Sequence, residues 1–404
     1  MFRFYKIILL AAGALVLFSC CKNRKTNEVE KMAEQQNVIT GEFYSTWASS
    51  QYLTEDFNMP PMELSGNSLR QIVHVSIAGE KIRVCFTNRL GYENLEITEA
   101  CIAKSKGQGT GSIILDSQKN LTFNGQKNAV IPAGKDLYSD VLDFSFDALE
   151  ELTVSICYGK VPQRVTGHPG SRTNSFVQKA NAVWEETFDD SNKTAHWYTL
   201  AGIEVLSEKP KKAVICFGDS ITDGRGSTDD LQNRWTDNFA KLLLSNDSTK
   251  DVAVINQGIG GTCVTTDGAR RFDRDVLAQK GITSIVMLYG INDIIYMNAS
   301  SQTVIECYKS LINKAHKKGI KIYGGTILPF GNCGDYSEKR DEVRMSVNNW
   351  IRTTSSADGG FDGFIDFDAV MRDDSNISKM KLLCDCGDGL HPSAKGYETM
   401  AEAF

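Results

Sequence analysis

The pattern of apolar and polar positions divides the chain into two parts of different type. In residues 42–206, short runs of alternating apolar and polar residues are separated by Gly, Asn and Asp. From residue 213 onward, short uninterrupted apolar runs alternate with longer segments whose apolar residues have helical spacing. The first pattern predicts an antiparallel β-sandwich, and the second predicts a parallel sheet with helices on both faces.

Individual elements of both parts can be predicted from this spacing. The first part is expected to contain strands at 73–77, 81–86, 112–115, 129–131, 152–158 and 197–205, with turns at 88–91 and 123–125. In the second part we expect strands at 213–217, 251–255, 284–289, 321–327 and 364–367. Helices are predicted at 231–244, 270–279, 301–318, 338–353 and from 393 onward. The charged segment 208–212 marks the boundary between two predicted domains, at 42–207 and 212–404.

Composition is consistent with two folded domains and excludes one class of partner. With 404 residues, the chain is longer than one hydrophobic core usually serves. Its 41% hydrophobic and 23% charged residues are typical of a soluble globular protein. Because the formal net charge is −6 and no basic cluster lies beyond the amino terminus, we expect no nucleic-acid partner.

The amino terminus has the pattern of a targeting segment. Arg3 and Lys6 precede an apolar segment at 7–18, which is too short for an ordinary membrane span. The sequence Leu17-Phe18-Ser19-Cys20 resembles a bacterial lipobox, which implies cleavage before Cys20 and lipidation of its thiol. The alternative is an ordinary secretory signal with a chance cysteine.

From this pattern we predict an exported lipoprotein. A signal peptide is expected at 1–20, followed at 21–41 by a polar segment that would act as a flexible tether. The protein would then be anchored to a membrane without spanning it, facing the periplasm or lying on the cell surface.

Eleven cysteines raise the question of disulfides and metals. Cys333, Cys384 and Cys386 lie in loops rich in Gly and Asp and are the better candidates for disulfides. The sequence Cys384-Asp-Cys386 also resembles half of a metal site, but no second cluster of His or Cys accompanies it. We therefore expect no metal and no cofactor.

One predicted strand leads into a turn with candidate chemistry. The strand at 213–217 is followed by Gly218-Asp219-Ser220, at the edge of the sheet where parallel α/β proteins bind ligands. A serine between a strand and a helix can lie near the positive end of the helix, where a developing oxyanion is stabilised. The alternative is that the three residues form only a turn and a helix cap, since all three favour turns.

Three further turns carry glycine and polar residues, at 256–262, 290–293 and 388–392. Together with 218–220 they resemble, in order, the four sequence blocks of the SGNH or GDSL-type hydrolases. The resemblance covers residues 213–404. It implies a three-layer α/β/α, flavodoxin-like parallel sheet and a serine esterase that needs no cofactor or metal.

The resemblance assigns a catalytic role to three side chains. Ser220 would be the nucleophile, His391 the general base, and Asp388 the acid that orients His391. A serine hydroxyl is a weak nucleophile at neutral pH and needs a base within hydrogen-bond reach. The spacing Asp-x-x-His lets one turn bring the carboxylate to one imidazole nitrogen, which leaves the other nitrogen free for the serine.

The resemblance also implies an oxyanion hole with three donors. These would be the backbone N–H groups of Ser220 and Gly261 and the side-chain amide of Asn292. Gly260 would replace Gly261 if the register is displaced by one residue. A tetrahedral oxyanion needs such donors already in place.

Other sites that activate a serine or bind phosphate fit poorly. Thr222 occupies the last position of a Gly-x-Ser-x-Gly elbow, and no lysine follows the glycine-rich segment 223–228 at P-loop spacing. His391 has no histidine partner nearby for a metal-dependent deacetylase. Arg225 is expected to face water, and His168 to be a solvated loop residue rather than to lean over the active site.

The first part of the chain also resembles known proteins, although through shorter motifs. Residues 47–51, 69–71 and 87–91, followed by the second domain, resemble bacterial two-domain esterases with an amino-terminal β-domain. Related enzymes include carbohydrate esterases that remove acetyl groups from polysaccharides. Aromatic residues at strand spacing are expected mainly in the core, with a sugar-binding platform as the alternative: Tyr44, Trp47, Tyr52, Trp184, Trp197 and Tyr198.

We therefore expect a serine esterase that forms an acyl-enzyme and removes O-acetyl groups from a small-molecule or polysaccharide carbohydrate. One alternative is a lipase, lysophospholipase or thioesterase of the same fold. Another is a glycan-binding lipoprotein without catalytic activity.

Overall fold

The alternating runs of the first part form antiparallel strands in the computed structural model, which describes residues 40–404. Their bounds are β1 Glu42–Ala48, β2 Tyr52–Leu53, β3 Ser68–His74, β4 Gly79–Thr87, β5 Leu95–Ser105, β6 Ile113–Leu121, β7 Ala129–Ile131, β8 Asp136–Tyr138, β9 Leu142–Phe146, β10 Glu151–Tyr158, β11 Thr166–Pro169, β12 Ser175–Gln178, β13 Lys193–Thr194, β14 His196–Tyr198 and β15 Leu200–Ser207.

These strands pair into two larger sheets and one small sheet. One larger sheet has the order β1-β15-β4-β8, with β9 also paired to β4. The other has the order β13-β12-β3-β10-β5-β6, with β7 paired to β5, and the small sheet has the order β14-β11-β2. In β10 the alternate residues Leu152, Val154 and Ile156 lie in the main hydrophobic core. The residues between them are buried as well, so both faces of this central strand are covered.

The second part alternates strands and helices as predicted. Its elements are β16 Lys212–Gly218, α1 Ser220–Asp223, α2 Trp235–Leu244, β17 Val252–Gly258, α3 Ala269–Asp275, β18 Ile282–Leu288, α4 Ile291–Ile295, α5 Ser301–His316, β19 Lys321–Gly325, α6 Glu338–Thr353, β20 Gly363–Ile365, α7 Phe367–Met371 and α8 Ala394–Ala401. A π-helical turn at Val264–Gly268 precedes α3.

The second part contains a five-stranded parallel sheet with the order β17-β16-β18-β19-β20. This is the flavodoxin-like order, in which the first strand lies between the second and the third. At the end of β16, Gly218 is in register with Gly258 on one side and Leu288 on the other. The predicted fold class, a parallel α/β sheet preceded by an all-β part, is confirmed.

The β-rich part covers the edge strand of the parallel sheet. Ser76 Oγ accepts a hydrogen bond of 3.2 Å from the backbone N–H of Val254 in β17. Ser45 N–H donates to the carbonyl oxygen of Lys280 over 3.3 Å. Both parts contribute to one hydrophobic core, and residues 42–404 form one compact unit. An otherwise open sheet edge is thereby protected, while the predicted division into two domains stays a prediction.

The prediction for the cysteines is wrong, and the predictions for the amino terminus concern residues that the structure does not describe. All described cysteines are free thiols, so the expectation that Cys333, Cys384 and Cys386 form disulfides is wrong. The signal peptide at 1–20, Cys20, and residues 21–39 of the tether lie outside the described residues. Within residues 40–404, none of the helices has both the length and the apolar character needed to cross a membrane.

The aromatic candidates of the first part lie mostly in the core. Tyr44, Trp47, Trp197 and Tyr198 are buried, whereas Tyr52 and Trp184 are partly exposed. Trp47 and Trp197 pack edge to face, with ring centroids 4.9 Å apart. The expectation that these rings serve mainly packing therefore holds for four of the six.

The contact between Tyr44 and Gly281 provides a test of how tightly the two parts pack. Gly281 has φ +78°, and a Cβ there would lie 2.6 Å from Tyr44 Cδ1. We expect Gly281→Ala to lower the free energy of unfolding by about 2–5 kcal/mol, of which about 1–2 is backbone strain and about 1–3 is overpacking. Denaturant unfolding measures the loss.

Gly319→Ala is the matched control for that measurement. Gly319 has nearly the same backbone conformation, with φ +71°, but no atom lies within 4 Å of its Cβ position. Only the strain of about 1–2 kcal/mol is expected there. Equal losses in the two variants would show that Tyr44 does not pack closely on Gly281.

Candidate active site

Ser220 is the first residue of helix α1, directly after β16. The carboxylate of Asp219 accepts a hydrogen bond of 3.0 Å from the backbone N–H of Ile221, which caps the helix. Gly218 is required at the end of the strand, because a Cβ there would lie 2.5 Å from the carbonyl oxygen of Leu288. Gly224, with φ +105°, ends the helix by donating its N–H to the Ser220 carbonyl oxygen. The serine is thus fixed between two glycines that no larger residue could replace without strain.

A chain of hydrogen bonds joins Ser220, His391 and Asp388. Ser220 Oγ lies 2.8 Å from His391 Nε2, and His391 Nδ1 lies 2.7 Å from Asp388 Oδ2. The other carboxylate oxygen, Oδ1, accepts from the backbone N–H groups of Leu390 and His391. Ser220 and His391 are buried, while 40% of the Asp388 side chain is exposed. The structure therefore brings the three predicted residues together in the predicted order.

The surroundings of these three residues keep the Asp388 carboxylate charged and the His391 imidazole neutral at pH 7. Partial burial raises the pKa of Asp388, but the hydrogen bonds from the backbone and ring of His391 and from Leu390 outweigh burial and lower it to about 2. Burial lowers the pKa of His391, with further lowering by Arg225 and Arg172, and Asp388 opposes these effects only in part. The carboxylate accepts the Nδ1 proton, so Nε2 has a free lone pair that faces the serine hydroxyl.

The predicted oxyanion residues lie in the two neighbouring loops. Asn292, in α4 after β18, is buried and donates one amide N–H to the carbonyl oxygen of Thr262 over 3.0 Å. Its second amide N–H is left for another acceptor. Gly261 has φ +73° and open space at its Cβ position, while a Cβ at Gly260 would lie 3.8 Å from Ser220 Cβ. Gly260 therefore borders Ser220, and which of the two backbone N–H groups acts as donor stays a prediction.

Two buried carboxyl groups, those of Asp293 and Asp219, lie next to the residues of the proposed site. Asp293, next to Asn292, accepts from the backbone N–H groups of Val264 and Thr265 at 2.8 and 2.9 Å, which fixes the chain that follows the glycine loop. Burial raises the pKa of Asp219 to about 7, and the neighbouring charge of Asp293 adds to this effect.

Arg271 is a buried residue that sequence reasoning missed. Its guanidinium donates to the carbonyl oxygens of Gly218 and Gln257, both over 2.8 Å, and to the hydroxyl of Tyr289 over 2.6 Å. It also donates to Ser50 Oγ of the β-rich part over 2.7 Å. One side chain thus ties together the carboxyl ends of β16 and β17 and the residue after β18. An arginine on an amphipathic helix gives no sequence signal for such a position.

His168 does not lie in a solvated loop, so that expectation is wrong. It belongs to β11, only 3% of its surface is exposed, and its Nε2 lies 2.8 Å from Asp223 Oδ1 in helix α1. Its Nδ1 lies 2.8 Å from the carbonyl oxygen of Ser50, so Nδ1 carries a proton. Strand pairing with β2 and β14 holds the histidine away from solvent. The β-rich part therefore reaches the helix that carries Ser220.

One group of side chains near the site could in principle hold a cation. Potential ligand atoms of Asp385, Cys386 and Asp388 all lie within 4.8 Å of one another. Asp385 and Asp388 already accept hydrogen bonds, from Gly387 and Gly389 and from the His391 loop respectively. Acidic groups so placed are accounted for by turn geometry alone, and they supply no evidence for a metal centre.

A comparison with protein families identifies the second part of the chain. Residues 216–399 match the sequence model described as the GDSL-like lipase/acylhydrolase family. No curated protein matches the chain.

The chain is also similar to solved structures over 48% of its length. A G-D-S-L-family lipolytic protein of Desulfitobacterium hafniense is 22% identical, with 97% of its own chain covered and a TM-score of 0.39. A lipase/acylhydrolase of Enterococcus faecalis is 23% identical, with 92% covered and a TM-score of 0.38. A GDSL-like lipase of Bacteroides thetaiotaomicron is 20% identical, with 85% covered and a TM-score of 0.37. Each TM-score is below 0.5, so these likenesses carry no argument.

The environment of His391 predicts its titration. Its pKa is lowered from the ordinary value of about 6.5, so the imidazole is expected to be neutral at pH 7 and to become charged only at a lower pH. Asp388→Asn should lower the pKa of His391 further, because the carboxylate favours the charged ring. NMR titration of the labelled histidine rings measures both values, with His391→Gln used for assignment. A wild-type pKa above 6.5, or a rise in Asp388→Asn, would contradict this account.

Proposed function

We propose that this protein, an ester hydrolase whose residues 216–399 belong to the GDSL-like lipase/acylhydrolase family, removes a short acyl group, acetyl, from a carbohydrate. The observation that carries the proposed mechanism is the hydrogen-bond chain from Ser220 through His391 to Asp388. This chain supplies a nucleophile, a base with a free lone pair, and a fixed carboxylate.

In the proposed first step, Ser220 Oγ attacks the ester carbonyl carbon while its proton moves to His391 Nε2. The carbonyl π electrons move to oxygen and form a tetrahedral oxyanion. When this intermediate collapses, the bond to the alcohol oxygen breaks and His391 gives its proton to that oxygen. Water then attacks the acyl-enzyme by the same route, which releases the acid and restores Ser220.

Two charges develop in these steps, on the imidazole and on the oxyanion, and each is stabilised by groups that are already in place. Asp388 stabilises the imidazolium that forms, because its two oxygens are fixed by the ring and backbone of His391. The second amide proton of Asn292 and the N–H groups of Ser220 and Gly261 are the proposed oxyanion donors. Removing one such donor typically costs a factor of about 10²–10³ in kcat.

Three observations support a short acyl group and a sugar. The sequence shows no long apolar lid that would cover a fatty chain. Gly260, which borders Ser220, and the next residue Gly261 are exposed and carry no side chain that could contact a fatty chain. The β-rich part lies against the serine helix through His168 and Asp223, as expected if it shapes the binding site of a polar alcohol.

A second candidate function is supported by one surface feature. Leu382 and Leu383 are 83% and 80% exposed, in a short helical turn a few residues before Asp388 and His391. Exposed leucines beside an ester-hydrolase site could contact a long acyl chain. A lipase, lysophospholipase or thioesterase is therefore the alternative that a substrate comparison must separate from an acetylesterase.

We also propose that the mature protein is an exported lipoprotein. The support is the amino-terminal sequence alone, in which the basic residues, the apolar segment and Leu17-Phe18-Ser19-Cys20 occur in the order of a lipobox signal. Lipidation of Cys20 would tether the hydrolase to a membrane surface where extracellular glycans are accessible.

Acyl-chain preference tests the proposed function. We expect kcat/KM for an acetylated sugar and for p-nitrophenyl acetate to exceed that for p-nitrophenyl palmitate by at least about tenfold, because the exposed glycines at 260 and 261 offer a long acyl chain little apolar contact. Steady-state kinetics in detergent-free buffer and in micelles measures the ratio. A preference for palmitate would favour the lipase alternative.

The same measurement needs a pair of serine variants. Ser220→Ala should lower kcat by at least about 10³-fold, while its matched control Ser248→Ala, at an exposed serine bonded only to Asn246, should not. Full activity of Ser220→Ala would overturn the mechanism.

The lipoprotein proposal has its own test. Cys20→Ala should prevent lipidation, so the protein should move from the membrane fraction to the soluble fraction or remain as an uncleaved precursor. Cys21→Ala, one position later, is the control and should stay in the membrane fraction. Lipid on the Cys20→Ala protein, detected by mass spectrometry, would contradict the assignment of Cys20.

A further inference from the structure

Two arginines beside the proposed active site have no acceptor for their guanidinium groups. Among residues 40–404, only Arg172, Arg225 and Arg270 are arginines without a side-chain hydrogen bond or ion pair. Arg270 lies exposed on α3. Arg172 and Arg225 both act electrostatically on His391.

Arg225 lies between the serine helix and the chain that follows His391. Its backbone N–H donates to the carbonyl oxygen of Ser220 over 2.9 Å. Its own carbonyl oxygen accepts from the hydroxyl of Tyr397 over 2.6 Å. The backbone of Arg225 is therefore fixed on both sides, while its side chain is exposed and free to reach a ligand.

Arg172 comes from the β-rich part and has an unusual backbone. Its φ is +53°, a conformation that residues other than glycine rarely adopt. Its carbonyl oxygen accepts from the backbone N–H of Asp230 over 2.9 Å, which helps hold this conformation. Its Nε is buried and has no hydrogen-bond partner within the described chain. Backbone strain and an unsatisfied donor together are more common at binding sites than in ordinary loops.

The position of the Arg172 guanidinium follows from Gly170. A Cβ at Gly170 would lie 2.9 Å from Arg172 Nη2 and 3.7 Å from Asp223 Oδ2, so the guanidinium and this carboxylate are near one another without forming an ion pair. Asp223 is in the same short helix as Ser220. Arg172 therefore reaches from the β-rich part to the side of the active site.

The carboxylates in this region already have partners. Asp223 faces His168, Asp388 faces His391, and Asp385 accepts from the backbone of Gly387 and Gly389. The charges left without a partner are therefore the two guanidinium groups, in a chain whose formal net charge is −6. A guanidinium group that has no acceptor of its own can bind an anion through charge-assisted hydrogen bonds.

Taking the proposed esterase function as its premise, we infer that Arg172 and Arg225 bind an anionic group on the alcohol portion of the substrate. An acetyl group carries no charge, so the anion must belong to the alcohol that is released. The planar guanidinium fork suits a carboxylate, with which it forms paired charge-assisted hydrogen bonds. The substrate class is then an O-acetylated acidic sugar, in which the carboxylate orients the ester towards Ser220.

A matched pair of small esters tests this inference. 4-Acetoxybenzoate carries a carboxylate on its alcohol portion, and 4-acetoxybenzamide is its uncharged counterpart. We expect wild-type kcat/KM to be about tenfold or more higher for the benzoate, with the ratio falling as salt is added. Arg172→Gln and Arg225→Gln should each lower this ratio at least about fivefold, mainly through KM for the benzoate.

Controls separate this inference from the premise on which it rests. Arg164→Gln removes an arginine that pairs with Asp56 on the surface of the same β-rich part, and it should leave the ratio unchanged. If wild type hydrolyses both esters with equal kcat/KM, or if both active-site variants keep the wild-type ratio, the anion site is refuted and the esterase stands. If folded wild type hydrolyses neither ester nor any acetylated sugar, the proposed function itself fails.

Arg172→Lys distinguishes a direct contact from a general effect of charge. Lysine keeps the positive charge but loses the planar fork. A direct contact predicts that Arg172→Lys recovers only part of the wild-type preference. Full recovery would show that the side chain acts as a charge alone, which would overturn the assignment of a paired hydrogen bond with the carboxylate.

Discussion

The proposed active site depends on one close contact between residues that are far apart in sequence. Ser220 Oγ and His391 Nε2 lie 2.8 Å apart, although 171 positions separate the residues. In a parallel sheet the carboxyl ends of all strands face the same edge, so loops that follow different strands can meet there. Because β16 lies between β17 and β18, the loops that follow these three strands are neighbours at that edge. The last loop, with Asp388 and His391, completes the group.

The β-rich part packs directly against the second part. It covers the edge strand β17, shares the hydrophobic core, and sends Ser50, His168 and Arg172 towards the second part. His168 faces Asp223 in the serine helix, while Ser50 accepts from Arg271, which holds the ends of the strands. The geometry of the active site therefore depends on residues from both parts, and a change in the first part can alter chemistry in the second.

Local sequence patterns predicted the regular elements well and the irregular junctions poorly. Helix α6 has the bounds that periodicity predicts, because apolar spacing and an N-terminal serine cap agree there. Helix α2 begins at Trp235 rather than at 231, because Asp230 and Gln232 have positive φ and cannot continue a helix. The strand predicted at 197–205 is divided at Thr199, which also has positive φ. A single backbone conformation of this kind leaves no periodic signal.

The candidate site shows the same division between local and long-range information. The residues whose motifs are compact, Ser220, Asp388, His391 and Asn292, were predicted because strands and turns place them at one edge of the sheet. His168, Arg172 and Arg271 were missed or misjudged, because their partners lie on distant segments. Whether such a histidine or arginine is buried depends on how the two parts of the chain pack together. No periodic pattern in the sequence indicates that packing.

The most direct test of the account is whether the contact between Ser220 and His391 makes the serine a nucleophile. A fluorophosphonate probe should label the folded wild-type protein, and mass spectrometry should locate the adduct on Ser220. His391→Gln should slow labelling by at least about 10³-fold, while His316→Gln, at a partly exposed histidine that faces Asp362, should label at the wild-type rate. Absence of labelling in folded wild type, or an equal rate in His391→Gln, would contradict the account.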